Sequence, residues 1–474
     1  MRNIEDKPLY NVVTALYRGF SMLEFLNFIN ENIIWGAPMI AVFLFVGVFY
    51  TAKLRFANFT RLPDIFRATV LAKGTRKSDG SNLSPFQTLT AALATTLGTG
   101  NIVAVGAAVA IGGAGTVFWL ILSAMVGMAT CYGETVLGMK YREKKADGSY
   151  FGGAFFYIAK GLKNQKAGRL YAVLCLLASL GMGNMTQLNA MSCAVKSAFG
   201  VPTYICGIAG ALFIFSVIAG GIRRFGKVTE KLVPIFSFLY IGGCLLVIGL
   251  NYREIPAVIQ RIFAEAFDFK AGVCGIFGSV AMNAMSWGFR RGIFSNEAGL
   301  GTGVMLHCTS SGNDAEKQGL WAMVQVFFDT VIMCTLTALA LLVTGADKIA
   351  ADGTSNAVAA FSGVMGDYAS GFIAVCIAFF ALTTASGWWV YGERCLEYLF
   401  GGKGKGIFTV AFIIAAFVGA VMKLETVWAL ADLLNGLMAL PNLTAMLCLS
   451  GEVTAEWKDE RQKGGLKRNK RKSA

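Results

Sequence analysis

The sequence predicts an all-α, polytopic membrane protein, and three observations lead to that prediction. Hydrophobic residues make up 55% of the 474 positions and charged residues only 15%, which excludes an ordinary soluble domain of this length. Several uninterrupted apolar stretches reach the ~20 residues that a transmembrane helix needs. Two of these stretches are interrupted by glycine and polar residues. The predicted fold is therefore a bundle of membrane helices, two of them broken.

About eleven transmembrane helices are predicted from the ends of the apolar stretches. The first stretch lacks a small-residue cleavage site, so we expect a retained helix rather than a signal peptide. The predicted spans are 33–53, 86–111, 115–139, 170–195, 203–221, 231–250, 272–305, 318–345, 368–393, 406–422 and 425–449.

Lysine and arginine concentrate on one side of these spans. They lie in the connections 53–85, 140–169 and 223–231 and in the tail from 458 onward. Cytoplasmic loops carry the excess of basic residues, so we expect the N-terminus outside and the C-terminus in the cytoplasm of a cell-membrane protein. The net charge of +14 is then mostly a topology signal, which argues for the lipid bilayer and against nucleic acid as a partner.

The span 86–111 is the stretch around which the chain is organised. Ser84 and Pro85 mark its start as an N-cap and a first-turn proline. Near its middle the apolar pattern is broken by Thr96-Leu97-Gly98-Thr99-Gly100-Asn101. A freed backbone N–H or C=O costs several kcal/mol in lipid, so a neighbouring helix or a bound cargo must satisfy it. We expect a cargo.

The span 272–305 is the second interrupted one. It contains glycines, the pair Arg290-Arg291 and the carboxylate of Glu297, all of which are costly in lipid and mark a cavity or an interface. The alternative is a helix that ends near Gly288 and continues as a cytoplasmic loop.

The spacing of the two breaks suggests a repeat, because four spans lie between the two interrupted ones. Five-span units set end to end have opposite orientations, since five is odd. The pattern therefore indicates a five-plus-five inverted-repeat transporter with one extra N-terminal helix. The predicted segments are an extracytoplasmic stretch 1–32, the extra helix 33–53, repeats 86–250 and 272–449, and a basic cytoplasmic tail 450–474.

Polar residues in two other spans are candidates for the same cavity. Gln187 offers an amide that both donates and accepts hydrogen bonds, although bonding between helices is an alternative. Thr383 and Thr384 offer the hard oxygen ligands that an alkali cation needs, although threonines also bond back to their own helix. Trp388 either lines a pocket or only packs between neighbouring helices.

Two carboxylates also lie in predicted spans. Glu134 lies near the inner end of its span, where snorkelling to the interface or an ion pair is favoured over a proton relay. Asp329 lies about a third of the way into its span and is a weaker candidate for ion coupling.

Other function classes lack their motifs. No phosphate-binding G-x-x-x-x-G-K-[ST] loop occurs, and neither G-x-S-x-G nor H-E-x-x-H is present, so the chain is not expected to be an enzyme. A cation channel remains as an alternative of a different class. The two non-identical breaks argue against it, since a channel favours a symmetric filter.

At these same residues the chain resembles the alanine/glycine:cation symporter family, the sodium:alanine symporters of bacteria and archaea. The resemblance covers about 33 to 450. It is carried by Ser84-Pro85-Phe86-Gln87 through Thr99-Gly100-Asn101, Gly183-Asn184-Met185 with Gln187, Arg291-Gly292 through Ser295-Asn296-Glu297-Ala298-Gly299, and Tyr391-Gly392-Glu393-Arg394-Cys395.

The resemblance implies the five-plus-five fold of sodium-coupled leucine transporters and Na⁺-driven uptake of alanine or glycine by alternating access, in a chain that can act as a monomer. Proton-coupled transport of another small amino acid, such as glutamine, is the alternative. The implied substrate-binding residues are Thr99, Gly100, Asn101, Gln187, Trp388 and Gly299, and the implied sodium ligands are Ala94, Leu97, Asn101, Thr383 and Thr384.

Overall fold

The computed structural model describes residues 22–72, 81–269, 280–349, 352–422 and 425–462, which are overwhelmingly helical. In the first half of the chain the helices are α1 Met22–Ile29, α2 Ala37–Lys53, α3 Ala57–Thr60, α4 Leu62–Ala68, α5 Pro85–Thr96, α6 Val103–Gly112, α7 Thr116–Tyr141, α8 Ala154–Phe156, α9 Gln165–Leu180, α10 Thr186–Phe199, α11 Thr203–Ile218 and α12 Gly221–Leu250. A short antiparallel pair, β1 Glu143–Lys144 and β2 Tyr150–Phe151, follows α7.

In the second half the helices are α13 Ile255–Ala266, α14 Val280–Asn296, α15 Val304–His307, α16 Ala315–Val326, α17 Thr335–Thr344, α18 Gly353–Met365, α19 Tyr368–Phe400, α20 Lys405–Val421, α21 Glu425–Cys448 and α22 Ser450–Gln462. A π-helical turn, Gly181–Met185, joins α9 to α10, and another, Phe327–Cys334, joins α16 to α17.

The helices reproduce the predicted membrane spans, except that α12 begins at Gly221, so the predicted connection 223–231 is helical. Within the described residues, five helices are long and apolar enough to cross a bilayer: Thr116–Tyr141, Gln165–Phe199, Gly221–Leu250, Ala315–Thr344 and Tyr368–Phe400. Pro85–Thr96 and Thr99–Gly112 form one further span that is bent by 62° at its break. The remaining predicted spans contain the shorter apolar helices α2, α11 and α20 together with α14 and α21. The all-α, polytopic prediction is confirmed.

The start of α5 is fixed by its own sequence, as predicted. The Ser84 hydroxyl accepts a hydrogen bond from the Gln87 N–H at 3.1 Å, and the Gln87 side chain accepts one from the Ser84 N–H at 3.0 Å. Pro85 occupies the first turn, where its missing N–H costs nothing. This reciprocal capping box satisfies two donors that the helix leaves unpaired.

The second interruption lies later in the chain than its glycines suggested. Helix α14 continues through Gly288 and Gly292 to Asn296, so the alternative of a helix ending near Gly288 is wrong. Gly288 and Gly292 are close-packing positions against α7: a Cβ on Gly288 would lie 2.6 Å from the Trp119 Cβ. The chain leaves the helix at Glu297 and resumes it at Val304. Residues 270–279 of the predicted span lie outside the described residues.

Helices α13 and α18 lie in regions that were predicted only as connections, as do the shorter helices α3 and α4. Helix α13 buries Val258, Ile262 and Ala266 at four-residue spacing and exposes its other faces. Such an amphipathic helix lacks the continuous apolar run by which membrane spans are recognised.

Each break is followed by four helical spans within the described residues. The first break is followed by α7, α9–α10, α11 and α12, and the second by α16–α17, α19, α20 and α21. This is the order of helices that the predicted five-plus-five repeat requires, and α2 precedes both broken helices.

Candidate functional site

The first break is a short irregular stretch between α5 and α6. Helix α5 ends at Thr96, and the Gly98 N–H donates both to the Thr96 carbonyl at 2.8 Å and to the Asn101 Oδ1 at 3.0 Å. A Cβ on Gly98 would lie 2.9 Å from the Thr384 Oγ1 and 3.1 Å from the Gln187 Oε1. A side chain at this position would therefore displace the Thr384 hydroxyl or the Gln187 amide.

Gln187 contacts the break from α10. Its Oε1 accepts hydrogen bonds from the Thr99 N–H at 3.2 Å and from the Thr99 hydroxyl at 3.0 Å. The amide oxygen thus occupies a position where backbone N–H groups at the start of a helical segment point at an acceptor. The structure brings together the predicted residues Thr99 and Gln187.

Three oxygen atoms converge on the other side of the same break. The Thr384 hydroxyl, from α19, lies 3.0 Å from the Ala94 carbonyl oxygen and 3.3 Å from the Leu97 carbonyl oxygen. Carbonyl and hydroxyl oxygens are the hard ligands that a small alkali cation prefers. The structure therefore brings together three of the predicted sodium ligands.

Thr383 does not join this group of oxygens. Its hydroxyl bonds back to the Phe379 carbonyl at 2.9 Å and to the Phe380 carbonyl at 3.1 Å in its own helix. This is the alternative that the sequence left open for the threonine pair. Only the second threonine reaches across to α5.

Asn101 connects the two broken helices. Its Nδ2 lies 3.1 Å from the Ser295 Oγ, at the end of α14, and 2.9 Å from the Asp329 Oδ1, in the π-helical turn before α17. The Asp329 Oδ2 accepts further hydrogen bonds from the Ser295 and Thr330 hydroxyls, each at 2.7 Å. Asn101 therefore belongs to a carboxylate-centred group and contacts neither Ala94 nor Leu97 through a described hydrogen bond.

Ser295 and Asp329 complete this group. Asp329 was predicted only as a weaker candidate for ion coupling, and Ser295 was not predicted to bind substrate or metal. Asp329 is fully buried, and its described partners are neutral donors. A carboxylate inside an apolar span was the signal for Asp329. Ser295 had no signal of its own, because a serine within a membrane helix ordinarily bonds to its own backbone.

Trp388 is buried against the π-helical turn Gly181–Met185, which precedes the helix that carries Gln187. Its ring lies so close to α9–α10 that a Cβ on Gly183 would be 2.1 Å from the Trp388 Cγ. It also packs edge-on against Tyr391 with 5.3 Å between ring centroids, and the Tyr391 hydroxyl lies 2.8 Å from the Thr95 Oγ1. The aromatic pair thereby fixes α19 against α5 next to the break.

Phe294 covers the other predicted backbone position, Gly100. A Cβ on Gly100 would lie 3.5 Å from two carbons of the Phe294 ring, which is ordinary van der Waals contact. The Arg291 guanidinium lies 5.6 Å from the centroid of the same ring and 5.3 Å from that of Trp287. The guanidinium thus lies close to two aromatic rings, at distances at which a cation–π interaction forms.

Gly299 lies with a different set of residues. Its carbonyl accepts from the Asn442 Nδ2 at 2.8 Å, and a Cβ on it would lie 2.6 Å from the Phe43 ring. The described hydrogen bonds connect Gly299 to α21 rather than to Asn101 or Gln187. The residue of the second broken helix that reaches the first break is Ser295 instead.

The position of Glu134 contradicts the expectation that its side chain snorkels to the interface. Its side chain is buried and accepts hydrogen bonds from the Gly301 N–H at 3.0 Å and the Asn442 Nδ2 at 2.5 Å. Snorkelling to the interface is therefore wrong, and no salt bridge involves Glu134 within the described part of the chain. Its position follows from the unwound backbone of the second break, which the sequence did not place beside it.

Comparisons with known proteins identify the family. The model of the sodium:alanine symporter family matches residues 21–473. The chain is 38% identical to the sodium/alanine symporter AgcS of Methanococcus maripaludis, over 92% of this chain and 97% of that protein. It is 34% identical to the probable sodium/glutamine symporter GlnT of Bacillus subtilis, over 92% and 91%.

The fold has a solved counterpart. The structure of MhsT in complex with L-phenylalanine matches with a TM-score of 0.54 and 10% sequence identity, covering 79% of this chain and 97% of that one. At this identity the likeness shows the fold alone. The family match excludes the enzyme and channel classes. The chain belongs to the sodium:alanine symporter family and is a multi-pass, cation-coupled amino-acid symporter.

Proposed function

We propose that the protein imports alanine and glycine together with Na⁺. The observation that carries this proposal is the convergence of the Ala94, Leu97 and Thr384 oxygens beside the N–H groups of the same break. A cation site and an anion site then share one interruption of one helix. This arrangement suits a zwitterion with a free α-carboxylate and an alkali ion.

The α-carboxylate would bind at the start of the segment that leads into α6. There the helix end carries partial positive charge and directs N–H groups outward. In the structure the Gln187 Oε1 accepts from the Thr99 N–H. A substrate carboxylate would replace this amide oxygen, and Gln187 would then turn its NH₂ toward the carboxylate. Thr99, Gly100 and Gln187 are the residues to which we assign the carboxylate.

Sodium would bind between α5 and α19. The Ala94 and Leu97 carbonyls belong to the end of α5, and Thr384 belongs to α19, so a shared ion would draw the two helices together. A nearby cation also favours the bound carboxylate. Because ion and substrate each strengthen the binding of the other, substrate uptake can draw on the sodium gradient.

The walls of the site favour a small side chain. Phe294 contacts the Gly100 position, and the buried Trp388 fills the space against Gly183. A methyl group or a hydrogen requires the least displacement of these rings. Alanine and glycine are therefore the proposed substrates, and glutamine, which the GlnT relative carries in its printed name, is the comparison substrate.

Proton coupling is the second candidate, and Asp329 is the observation that favours it. This buried carboxylate accepts hydrogen bonds from Asn101, Ser295 and Thr330 and touches both broken helices. A carboxylate so placed could bind a proton or a cation during transport. One relative is a putative sodium/proton-dependent alanine carrier, YrbD of Bacillus subtilis, at 33% identity.

The deciding experiment uses purified protein in proteoliposomes. Uptake of radiolabelled alanine is measured with an inward Na⁺ gradient, with choline in place of Na⁺, and with an inward proton gradient alone. We expect accumulation with Na⁺ only, inhibited by unlabelled glycine more strongly than by glutamine. Accumulation driven by the proton gradient without Na⁺ would replace the sodium proposal by the proton alternative.

We further propose that the two five-span units, 86–250 and 272–449, alternate the exposure of this site, with the N-terminus outside and the C-terminus in the cytoplasm. The excess of lysine and arginine in the connections 53–85 and 140–169 supports this orientation. Arg142 donates to the Cys308, Ser310 and Gly312 carbonyls, which places the chain after α15 on the same side as the connection 140–169. Labelling of single cysteines placed at each terminus with an impermeant maleimide tests it, and labelling of the C-terminus in intact cells would reverse it.

A further inference from the structure

The second break differs from a simple loop because its backbone runs through buried space. Glu297 has a φ of 57°, Gly299 of 92° and Gly301 of 74°, so three residues in five adopt left-handed backbone conformations. Glu297, Ala298 and Leu300 are each at most 3% exposed. Backbone groups that leave a helix inside the protein need partners there, because an unpaired buried N–H or C=O is costly.

Glu134 supplies one of these partners from α7. Its Oε1 accepts from the Gly301 N–H at 3.0 Å, in place of the helical carbonyl that Gly301 lacks. The Asn442 Nδ2, from α21, donates to the same Oε1 at 2.5 Å and to the Gly299 carbonyl at 2.8 Å. Carboxylate and amide thus form one unit that satisfies both a donor and an acceptor of the break.

Two tyrosines complete the unit. The Tyr171 hydroxyl donates to the Leu300 carbonyl at 2.9 Å. The Tyr157 hydroxyl donates to the Asn442 Oδ1 and so fixes the orientation of that amide. A Cβ on Gly301 would lie 2.9 Å from both the Asn442 Oδ1 and the Tyr171 hydroxyl, so these groups press directly against the backbone.

The break lies next to the transport site in sequence. Ser295, which bonds to Asn101 and Asp329, precedes Glu297 by two residues and lies in the last turn of α14. The position of that last turn depends on the chain that follows it. Side chains that hold the break therefore also hold Ser295 against the first broken helix.

We propose that Glu134 and Asn442 are positioning residues that hold the unwound segment 297–303, with Glu134 acting as a hydrogen-bond acceptor rather than as a carrier of charge. The consequence for transport, which rests on the proposed function, is that they set the affinity for the coupling ion through Ser295. They contact the break and not the proposed substrate.

Hydrogen exchange of the purified protein tests the positioning role without any assumption about the substrate. In Glu134→Ala the Gly301 N–H loses its acceptor, and we expect amide exchange in 297–303 to accelerate by about tenfold or more. Glu134→Gln keeps an acceptor oxygen and is expected to exchange like the unaltered protein. Glu230→Ala is the matched control, because it removes a carboxylate that accepts from the Gln87 side chain at 2.9 Å, far along the chain from the break.

Each result decides the proposal. Unchanged exchange in Glu134→Ala overturns the positioning role, and exchange in Glu134→Gln as fast as in Glu134→Ala overturns the acceptor role in favour of charge. If Glu134→Ala does not fold, Asn442→Leu keeps the branched side-chain shape and its number of heavy atoms but loses the amide. It is expected to accelerate exchange in the same segment, and unchanged exchange would overturn the proposal.

Transport kinetics then test the link to the site. We expect Glu134→Ala and Asn442→Leu to raise the half-saturating Na⁺ concentration by about tenfold, and Glu134→Gln to restore it. If exchange responds as expected but the unaltered protein does not transport alanine with Na⁺, the proposed substrate or ion is wrong and the positioning role stands. If exchange responds and the sodium curve does not move, the link through Ser295 is wrong.

Discussion

The two broken helices solve the same problem with different partners. At the first break, between Thr96 and Val103, the described side-chain partners that other elements offer to the backbone are the Gln187 amide and the Thr384 hydroxyl. At the second break, between Asn296 and Val304, carboxylate, amide and phenol groups from three other elements bond to the backbone. Asn442 donates to the Gly299 carbonyl and also to Glu134, which in turn accepts from the Gly301 N–H.

This difference agrees with the proposed binding role of the first break and the proposed supporting role of the second. At the first break, each partner can exchange its own hydrogen bonds for those of a cargo with little rearrangement. At the second break the partners also bond to one another, since Asn442 donates to Glu134 and accepts from Tyr157, and such a network changes only as a unit. We therefore assign the first break to ligand exchange and the second to holding Ser295 in place, and Asn101 is the residue that joins them.

The largest effect is expected where the two breaks meet. Asn101→Ala removes the acceptor of the Gly98 N–H and the donor to Ser295 and Asp329, several buried hydrogen bonds at once. We expect sodium-driven alanine uptake to fall by about 100-fold or more, since each buried group left unpaired costs about 1–3 kcal/mol.

Asn189→Ala is the matched control for Asn101. Its Nδ2 donates to the Gly419 and Met422 carbonyls at 3.1 and 3.0 Å, between α10 and α20, away from both breaks. It should keep most of the uptake measured in the same proteoliposomes. Near-normal uptake by Asn101→Ala would show that the breaks are not joined through this residue.

A methyl group in the first break is expected to have the next largest effect. Gly98→Ala places a Cβ 2.9 Å from the Thr384 Oγ1, so the hydroxyl must move away from the Ala94 and Leu97 carbonyls. Uptake should fall by at least about tenfold, which corresponds to about 1.4 kcal/mol. Gly363→Ala, where a Cβ meets nothing within 4 Å, is the control and should transport normally. Normal uptake by Gly98→Ala would mean that the break adapts freely.

The adjacent threonines sharpen the assignment of the sodium group. Thr384→Val removes one of three converging oxygens, so we expect the half-saturating Na⁺ concentration to rise about tenfold, or about 1.4 kcal/mol. Thr383→Val has the same chemistry but loses only bonds to its own helix, and its sodium curve should be unchanged. Equal shifts in both variants would contradict the assignment.

The smallest effect is expected at the exposed start of α18, where the Asp352 side chain caps the helix. The Asp352 carboxylate accepts from the Thr354 N–H at 3.2 Å and the Ser355 N–H at 3.0 Å, at the start of α18. Asp352→Ala should cost about 1 kcal/mol of stability and leave sodium affinity unchanged, as measured by thermal unfolding and uptake. A transport defect here would mean that effects at the breaks are not specific to them.

The bundle of spans was predictable because lipid imposes a simple rule on composition. Long apolar runs, the Ser84–Pro85 start and the glycine-rich stretch around Gly98 carry local signals that no tertiary contact needs to supply. Helix α13 was missed because it lacks such a local signal: only one of its faces is buried, so its apolar residues never form a continuous run.

The placement of the candidate site residues was predictable in part. Thr384 and Gln187 reach the first break as expected, whereas Thr383 bonds to its own helix, and Gly299 and Glu134 lie with α21. Adjacent threonines point in directions about 100° apart on a helix. Which of the two faces α5 depends on the rotation of α19, which the sequence pattern does not encode.

By itself, the sequence determined that this chain crosses the membrane many times and that two of its helices lose their regular hydrogen bonds, because the apolar length and the glycine positions are local properties. Only the tertiary structure decided which side chains replace those bonds. Asn101, Ser295 and Asp329 come from three separate parts of the chain, and helix packing alone brings them within hydrogen-bonding distance.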